Sequence, residues 1–442
     1  MDNRIPVVDA LRHAWFGKLP QDWNIKPVRI ALQERYAKND LGVRNNYLSL
    51  ISGVGIVPYA EKGDLGNKKP EDLSKCKCVE QGDFVINSMN FVIGGFGRSS
   101  FSGICSPVYI VAKPNERQFD PRFLMRVFQV TEFQRHVGRL GNGILELRMA
   151  IGWDELKNQP IPAPPLPDQT RIANFLDEQT ARIDALIAEK ERLDALLGEY
   201  RGSLISAAVT GQLSTAIVSD GRVGGGVKPA SWRKLSLKRV AEIMPSNVDK
   251  HSVEGELPVQ LCNYVDVYNN DRIDDSIDFM VATASEAQIT RFTLKAHDVL
   301  VTKDSEEPSD IGIPAYVPQD MPGILCGYHL AVLRPDLMRV HGAFLHWALQ
   351  STEVQAYYET AALGISRYAL GINDLGMTPL HLPDRAEQTH IANFLDEQTA
   401  RIDDLRNHCR EHVALLREYR SSLISAAVTG QLDMDGSKSC LS

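Results

Sequence analysis

The sequence has no apolar run long enough to span a bilayer. Its first residues, Met1-Asp2-Asn3-Arg4, lack the basic-then-apolar pattern of a secretory signal. Seven cysteines, an odd number and scattered, make no disulfide framework. Cys76-Lys77-Cys78 is the only close pair, and no second Cys/His pair follows at finger spacing, so a structural metal is not implied. These absences describe a reduced cytoplasmic protein without a membrane anchor. Signs of catalysis are equally thin. The nearest approach to the Asn/Asp-Pro-Pro-aromatic turn of an amino-methyltransferase is Ser106-Pro107-Val108-Tyr109, wrong in its first and third residues. "GGFGRSS" (94–100) reads as a loop rather than a cofactor-binding glycine turn. Glu155-Leu156-Lys157 with Asp120 upstream fits a metal nuclease only at loose spacing. The chain therefore reads as non-catalytic, with no metal or cofactor of its own.

What is present is a repeat. "IANFLDEQTARID" stands at 172–184 and returns unchanged at 391–403, 219 positions later. Residues 171–213 and 390–432 are identical at 31 of 43 positions, with only the middle drifted, "LIAEKERLD" against "LRNHCREHV". Weaker echoes surround the block. Pro20-x-x-Trp23 resembles Pro229-x-x-Trp232, "QGDFVINS" (81–88) resembles "AHDVLVTK" (296–303), and "SPVYIVAKP" (106–114) parallels "GYHLAVLRP" (327–335). Helical spacing recurs at 123–137 and 344–358, then Gly141–Gly143 matches Leu363–Gly364, and Pro-rich stretches follow at 160–167 and 379–383. Each half predicts a mixed α/β domain, a Pro-rich hinge and one long helix.

With Ile172 taken as heptad position a, the a sites are Ile172, Gln179, Leu186, Leu193, Tyr200 and Ala207, and the d sites Leu176, Ile183, Lys190, Leu197 and Leu204. The second copy gives Ile391, Gln398, Leu405, His412, Tyr419 and Ala426, with Leu395, Ile402, Cys409, Leu416 and Leu423. Such a seam predicts helices paired lengthwise, with Gly211 and Gly430 as C-terminal stops. Each rod should be roughly 60 Å long. The connection from Leu213 to Pro229 is short, so the first helix should carry the chain along the rod and the second bring it back. The pair is then antiparallel, and the fold is α+β with an internal pseudo-two-fold repeat.

A coiled coil requires its a and d residues, yet Asp177, Glu178, Thr180, Arg182 and Asp184 recur as Asp396, Glu397, Thr399, Arg401 and Asp403. We read this as one surface presented twice, to two copies of one partner. Here the sequence resembles the specificity subunit of type I restriction–modification enzymes. The hinge-to-helix runs "PAPPLPDQTRIANFLDEQTARID" and "HLPDRAEQTHIANFLDEQTARID", and the shared close "LISAAVTGQL", carry the likeness across nearly the whole chain. Asp168-Gln169 replaces the usual Glu-Gln in copy one, while copy two keeps Glu387-Gln388 and loses the double Pro.

The resemblance implies target-recognition domains at 1–165 and 214–383, conserved helices at 166–213 and 384–432, and a tail at 433–442. It implies a subunit that does no chemistry. Its partners would be double-stranded DNA, two modification (methyltransferase) subunits and restriction (translocase/nuclease) subunits. Those partners would carry S-adenosylmethionine, ATP and Mg. Each recognition domain would read one half of a bipartite asymmetric site, with the helices fixing the spacer.

By the same resemblance, loops after the Asp-strand element offer readers: Asn87, Ser88 and Asn90 in the first domain, Lys303, Asp304 and Ser305 in the second. Arg98 on the Gly-rich stretch is placed on a flexible loop that could approach a backbone, Lys68 and Lys69 in a turn are candidates for phosphate contact, and Tyr328-His329 and Ser366-Arg367-Tyr368 are the other candidates in the second domain. The charge is uneven: residues 1–165 carry 22 basic against 17 acidic groups, and residues 214–383 carry 14 against 21, within a net −8. That acidic second domain keeps a rival reading open, a coiled-coil scaffold with two protein-binding domains. Another is the recognition subunit of a related two-strand-cutting restriction system.

Overall fold

A computed structural model describes residues 15–65, 68–141, 150–213 and 231–432. Met1–Arg4, Gly143, the stretch from 214 to Pro229 and the expected tail at 433–442 lie outside the described residues. The chain divides into two compact units: Met1–Lys190 with Glu411–Ser442, and Glu191–Arg410. Each unit thus holds one mixed α/β body, part of the first long helix (Leu166–Val209) and part of the second (Arg385–Val428).

In the first unit the main sheet has strands β1 (Leu32–Glu34), β2 (Phe84–Asn87), β3 (Phe96–Arg98) and β4 (Tyr109–Pro114), antiparallel in the order β1–β4–β2–β3. The run Phe-Val-Ile has no polar alternation because both faces are covered. Phe84 and Ile86 join the core beneath the helices, while Val85 joins a second cluster with Leu48, Leu50 and Ile56. Helices α1 (Pro121–Gln129) and α2 (Thr131–Gly138) cover the first face. Asp120 caps α1 through the Arg122 amide, and Pro121 supplies the preset φ of a first turn. Phe84, Phe91, Phe96, Phe128 and Phe133 pack mostly edge to face at centroid distances of 5.4–6.1 Å.

The second unit repeats this plan. Strands β5 (Ala241–Pro245), β6 (Val299–Thr302), β7 (Pro314–Tyr316) and β8 (Leu330–Pro335) run antiparallel in the order β5–β8–β6–β7, the same order as in the first unit. Val299 and Val301 face one core, Leu300 the other. Helices α3 (Gly342–Leu349) and α4 (Thr352–Ala361) take the places of α1 and α2. The helical stretches expected at 123–137 and 344–358 are each two helices, broken at Val130, whose backbone is extended, and at Ser351, whose side chain caps α4. An aspartate opens each central strand. Asp83 accepts from the Glu80 amide and the Arg35 guanidinium, Asp298 from the Lys295 amide and the Arg334 guanidinium. Among the described residues, only the second unit adds a further four-stranded sheet, built on Leu257–Cys262 and Met321–Cys326 paired in parallel.

Each Pro-rich stretch expected as a hinge begins with a strand. Pro160–Ala163 pairs antiparallel with Asn24–Pro27, and Pro379–Leu382 with Arg233–Ser236. Both long helices end as anticipated. The Gln212 amide reaches back to the Ala207 carbonyl and the Gln431 amide to that of Ala426, with Gly211 and Gly430 at φ 78° and 69°.

Inside each unit the two long helices run antiparallel. In the first, Asp184 accepts from Arg420, while Leu186 and Lys190 line a groove with His412, Leu415, Leu416 and Tyr419. In the second, Asp194 accepts from Arg406 and Arg410, and Asp403 from Arg201. The buried seam corrects the heptad phase. The expected d residues Leu176, Ile183, Leu204, Leu395, Ile402 and Leu423 are buried, and Leu197 and Leu416 are half-buried. Their partners, however, are the residues three before each: Ala173, Thr180, Ile187, Asp194 and Arg201, with Ala392, Thr399, Arg406, Val413 and Arg420. Of the expected a residues, Ile172 and Ile391 are buried, but Leu186 (45% exposed) and Leu405 (53%) face outward. Each helix carries two apolar stripes, and only one meets its partner.

Candidate functional site

The recurring polar letters of the long helices have work to do inside the fold. Asp177 accepts from Arg126 at 2.7 Å and Arg122 at 3.2 Å, both on α1. Its counterpart Asp396 accepts from the Trp347 indole of α3 at 2.9 Å and pairs with Arg272 at 2.7 Å. Thr180 and Thr399 are buried in the seam, each hydroxyl donating to the carbonyl four residues back, Leu176 and Leu395. Asp184 with Arg420 and Asp403 with Arg201 are the same ion pair made once in each unit. Among these ten residues Glu178, Arg182, Glu397 and Arg401 are the most exposed, joined as Glu178–Arg182 and Glu397–Arg401 one turn apart. Beside those four, Leu186, Leu193 and Tyr200 on the first long helix and Leu405, Leu415 and Tyr419 on the second are exposed apolar residues.

A pair of residues whose role sequence reading passed over lies at the foot of each helix. Gln169 accepts from the Asp120 amide and donates to the Gln118 and Pro164 carbonyls. Gln388 accepts from the His341 amide and donates to the Arg339 and Pro383 carbonyls. Both are 1% exposed. Each amide thus ties three chain segments together: the Pro-rich strand's end, the loop before α1 or α3, and the long helix. The signal was available, since both glutamines stand at one repeat distance directly after an acid.

The second unit gathers its expected reading residues. Asp304 and Ser305 form a short strand pairing with Tyr368–Ala369, which in turn pairs with Leu363–Gly364. The Asp304 carboxylate receives Arg367 Nη2 at 3.0 Å, His329 Nδ1 at 2.8 Å and Lys303 Nζ at 3.6 Å. The Tyr328 ring lies 3.6 Å from that of His329, and Ser366 sits exposed in the hairpin turn. Tyr264 and Tyr268 stack nearby, with the Tyr264 hydroxyl bonded to Ser305.

The first unit does not gather its own set. Asn87, Ser88 and Asn90 turn the chain beyond β2, where the Asn87 side chain accepts from the Met89 amide and Ser88 donates to the Val108 carbonyl. Arg98 is no loop residue. It ends strand β3 opposite Phe84, at the far end of β2 from Asn87, near Gly82 and Glu116. The glycines there make room rather than slack: a Cβ at Gly97 would stand 2.7 Å from Ile56 Cδ1. Lys68 and Lys69 are exposed just before Pro70.

Beneath the second body lies a partly buried polar network against the long helices. Arg201 binds Asp271 and Asp403, Gln350 binds Asp271 and His346, and burial pushes the His346 imidazole down to about 4. Burial also lowers His341, with Arg385 and His297 acting in the same direction. Against burial, which acts to raise it, Arg406 and Arg410 hold Asp194 below the usual carboxylate range. Cys76, Cys78, Cys105, Cys262, Cys326 and Cys409 are buried free thiols.

Two duplicated bodies braced on two near-identical helices define a class of protein that presents two related surfaces. Residues 44–194 match the model of the type I restriction modification DNA specificity domain. The chain is similar to the specificity subunit of the type I restriction enzyme EcoBI of Escherichia coli, 24% identical over 63% of this chain and 59% of that one. It is likewise similar to the StySPI specificity subunit of Salmonella potsdam, 21% identical over 94% of this chain and 90% of that one. Among solved structures it shares the fold of a chain from work on complex assembly and conformational transition of the type I R-M system. That match has a TM-score of 0.70 at 16% identity, covering 94% of this chain and 100% of that chain. It also shares the fold of the HsdS subunit of Thermoanaerobacter tengcongensis, with a TM-score of 0.55 at 16% identity over 94% of this chain and 99% of that one. The chain thus resembles type I specificity subunits along its length, as its repeated motifs indicate. No described helix is long and apolar enough to cross a membrane.

Proposed function

We propose that this chain is the DNA-reading subunit of a type I restriction–modification complex, in which each α/β body reads one half of a bipartite, asymmetric site. The observation that carries this reading is duplication with divergence. Both bodies share one sheet order and one glutamine tie, while the elements that would meet DNA differ between them. Two unlike readers on a common frame suit a site of two unlike halves. The long helices set the spacing between halves and dock two methyltransferase subunits. The exposed apolar residues Leu186 and Leu405, Tyr200 and Tyr419, and the paired Glu178–Arg182 and Glu397–Arg401 support that docking, because each stands exposed at the same repeat position on both helices. Base methylation and any DNA cleavage belong to the partner subunits.

The test is to co-express the chain with its neighbouring modification subunit and map N6-methyladenine across host DNA. The reading requires a split motif at fixed spacing, with one half replaced when residues 230–378 are exchanged for another reader. A stable complex that leaves DNA unmethylated would reduce the chain to a scaffold.

A further inference from the structure

The hairpin Leu363–Tyr368 projects from the second body beside the buried carboxylate of Asp304. Ile365 at its turn is 97% exposed, and the next residue but one is Arg367, 59% exposed. Arg367 reaches Asp304 with Nη2 alone. Among the described residues, none bonds its Nε or Nη1. Its guanidinium is therefore held through one Nη2 hydrogen, and the second Nη2 hydrogen leaves a parallel fork with a neighbouring nitrogen.

Asp304 is itself fixed. Its backbone pairs with Ala369, the Leu370 amide bonds the Lys303 carbonyl, and His329 Nδ1 lies between its two oxygens, 2.8 Å from Oδ1 and 2.9 Å from Oδ2. A carboxylate that only neutralised a surface arginine would need none of this bracing. A braced fork of two parallel N–H donors is the geometry that matches O6 and N7 of guanine in the major groove. The first unit makes the same backbone bond, from the Ile151 amide to the Ser88 carbonyl. It has Met89 where the second unit has Asp304, so the brace is particular to one reader.

We propose that Arg367 is a specificity determinant that reads a guanine in the half-site of the second body, with Asp304 as its positioning residue. This rests on the reading given under Proposed function. An arginine that touched only phosphate would contribute affinity equally at every sequence.

The experiment maps methylation by the co-expressed complex carrying Arg367→Ala, Arg367→Lys or Asp304→Asn. Recovery of the intact complex is checked by size exclusion. The wild-type motif should contain an invariant guanine in the half that changes when residues 230–378 are exchanged. With Arg367→Ala that one column should relax, losing about tenfold or more in discrimination against other bases, the loss of one bidentate contact. Arg367→Lys, which keeps the charge but not the fork, should relax the same column. Asp304→Asn should relax it less, and the other half should hold in all three. An unchanged motif in Arg367→Lys, or methylation reduced evenly over all sites, would overturn the guanine contact. Absence of any split motif in the wild type would instead sink the function on which it rests.

Discussion

Gln169 and Gln388 show how much one buried amide can hold. Each satisfies one backbone donor and two backbone carbonyls drawn from separate segments. Replacing Gln388 with Met keeps the volume but strands those groups, and each buried unsatisfied group costs about 1–3 kcal/mol. The variant should lose roughly 2–4 kcal/mol in urea unfolding, with Gln169→Met behaving alike. A loss below 1 kcal/mol would mean that water replaces the amide. His346 adds a pH dependence of known sign. Buried and neutral, with its pKa lowered to about 4, it is protonated in the unfolded chain before it is in the folded one. The stability this confers is complete above about pH 6.5 and drains as pH falls toward 4, at about 1.4 kcal/mol per unit and about 3 kcal/mol in all. Urea titrations of the wild type and His346→Gln between pH 7 and 4 should diverge in slope by that amount.

At the level of the elements, the long helices were legible as helices and as a pair, but not in their phase. Leu186, Leu193, Tyr200 and Leu405 are apolar at heptad spacing, whereas the true partners of the d residues include Thr180, Asp194, Arg201 and Arg406, which read as surface. Polar residues enter the seam because each finds a partner there: a carbonyl for Thr180, a counter-charge for Asp194 and Arg201. Neighbouring substitutions on the second helix separate the two phases. Ile402→Ala should cost about 2–4 kcal/mol as a core truncation, and Leu405→Ala less than about 0.5 kcal/mol. On the proposed docking, Leu405→Glu should leave the melt of the isolated chain nearly unchanged yet weaken recovery of the methyltransferase subunits. The candidate reading residues were legible unequally for a related reason. Asp304, His329 and Arg367 converge through strand pairing that no local pattern encodes, while Arg98 was drawn into a loop by glycines that serve packing.

For the molecule as a whole, net charge and the proposed DNA binding pull in different directions. A chain of net −8, whose residues 214–383 carry 14 basic against 21 acidic groups, gains little from diffuse attraction to a polyanion. On the proposed function, its affinity for DNA would come from a few placed cations and from its partners. Each phosphate contact steepens the fall of binding with salt by about 0.9 in the log–log slope. Lys68 and Lys69, exposed in the more basic first body, are candidates for such contacts. Their joint replacement by Ala should flatten the salt slope of the partner-loaded complex by up to about two, while the methylated motif keeps every column. Arg367→Ala should do the reverse, changing one column while flattening the slope by no more than about one. A slope untouched by the lysine pair would place both in plain solvent. A motif column lost with them would make them base readers, and the first body would then read from the turn before Pro70 rather than from the end of β2.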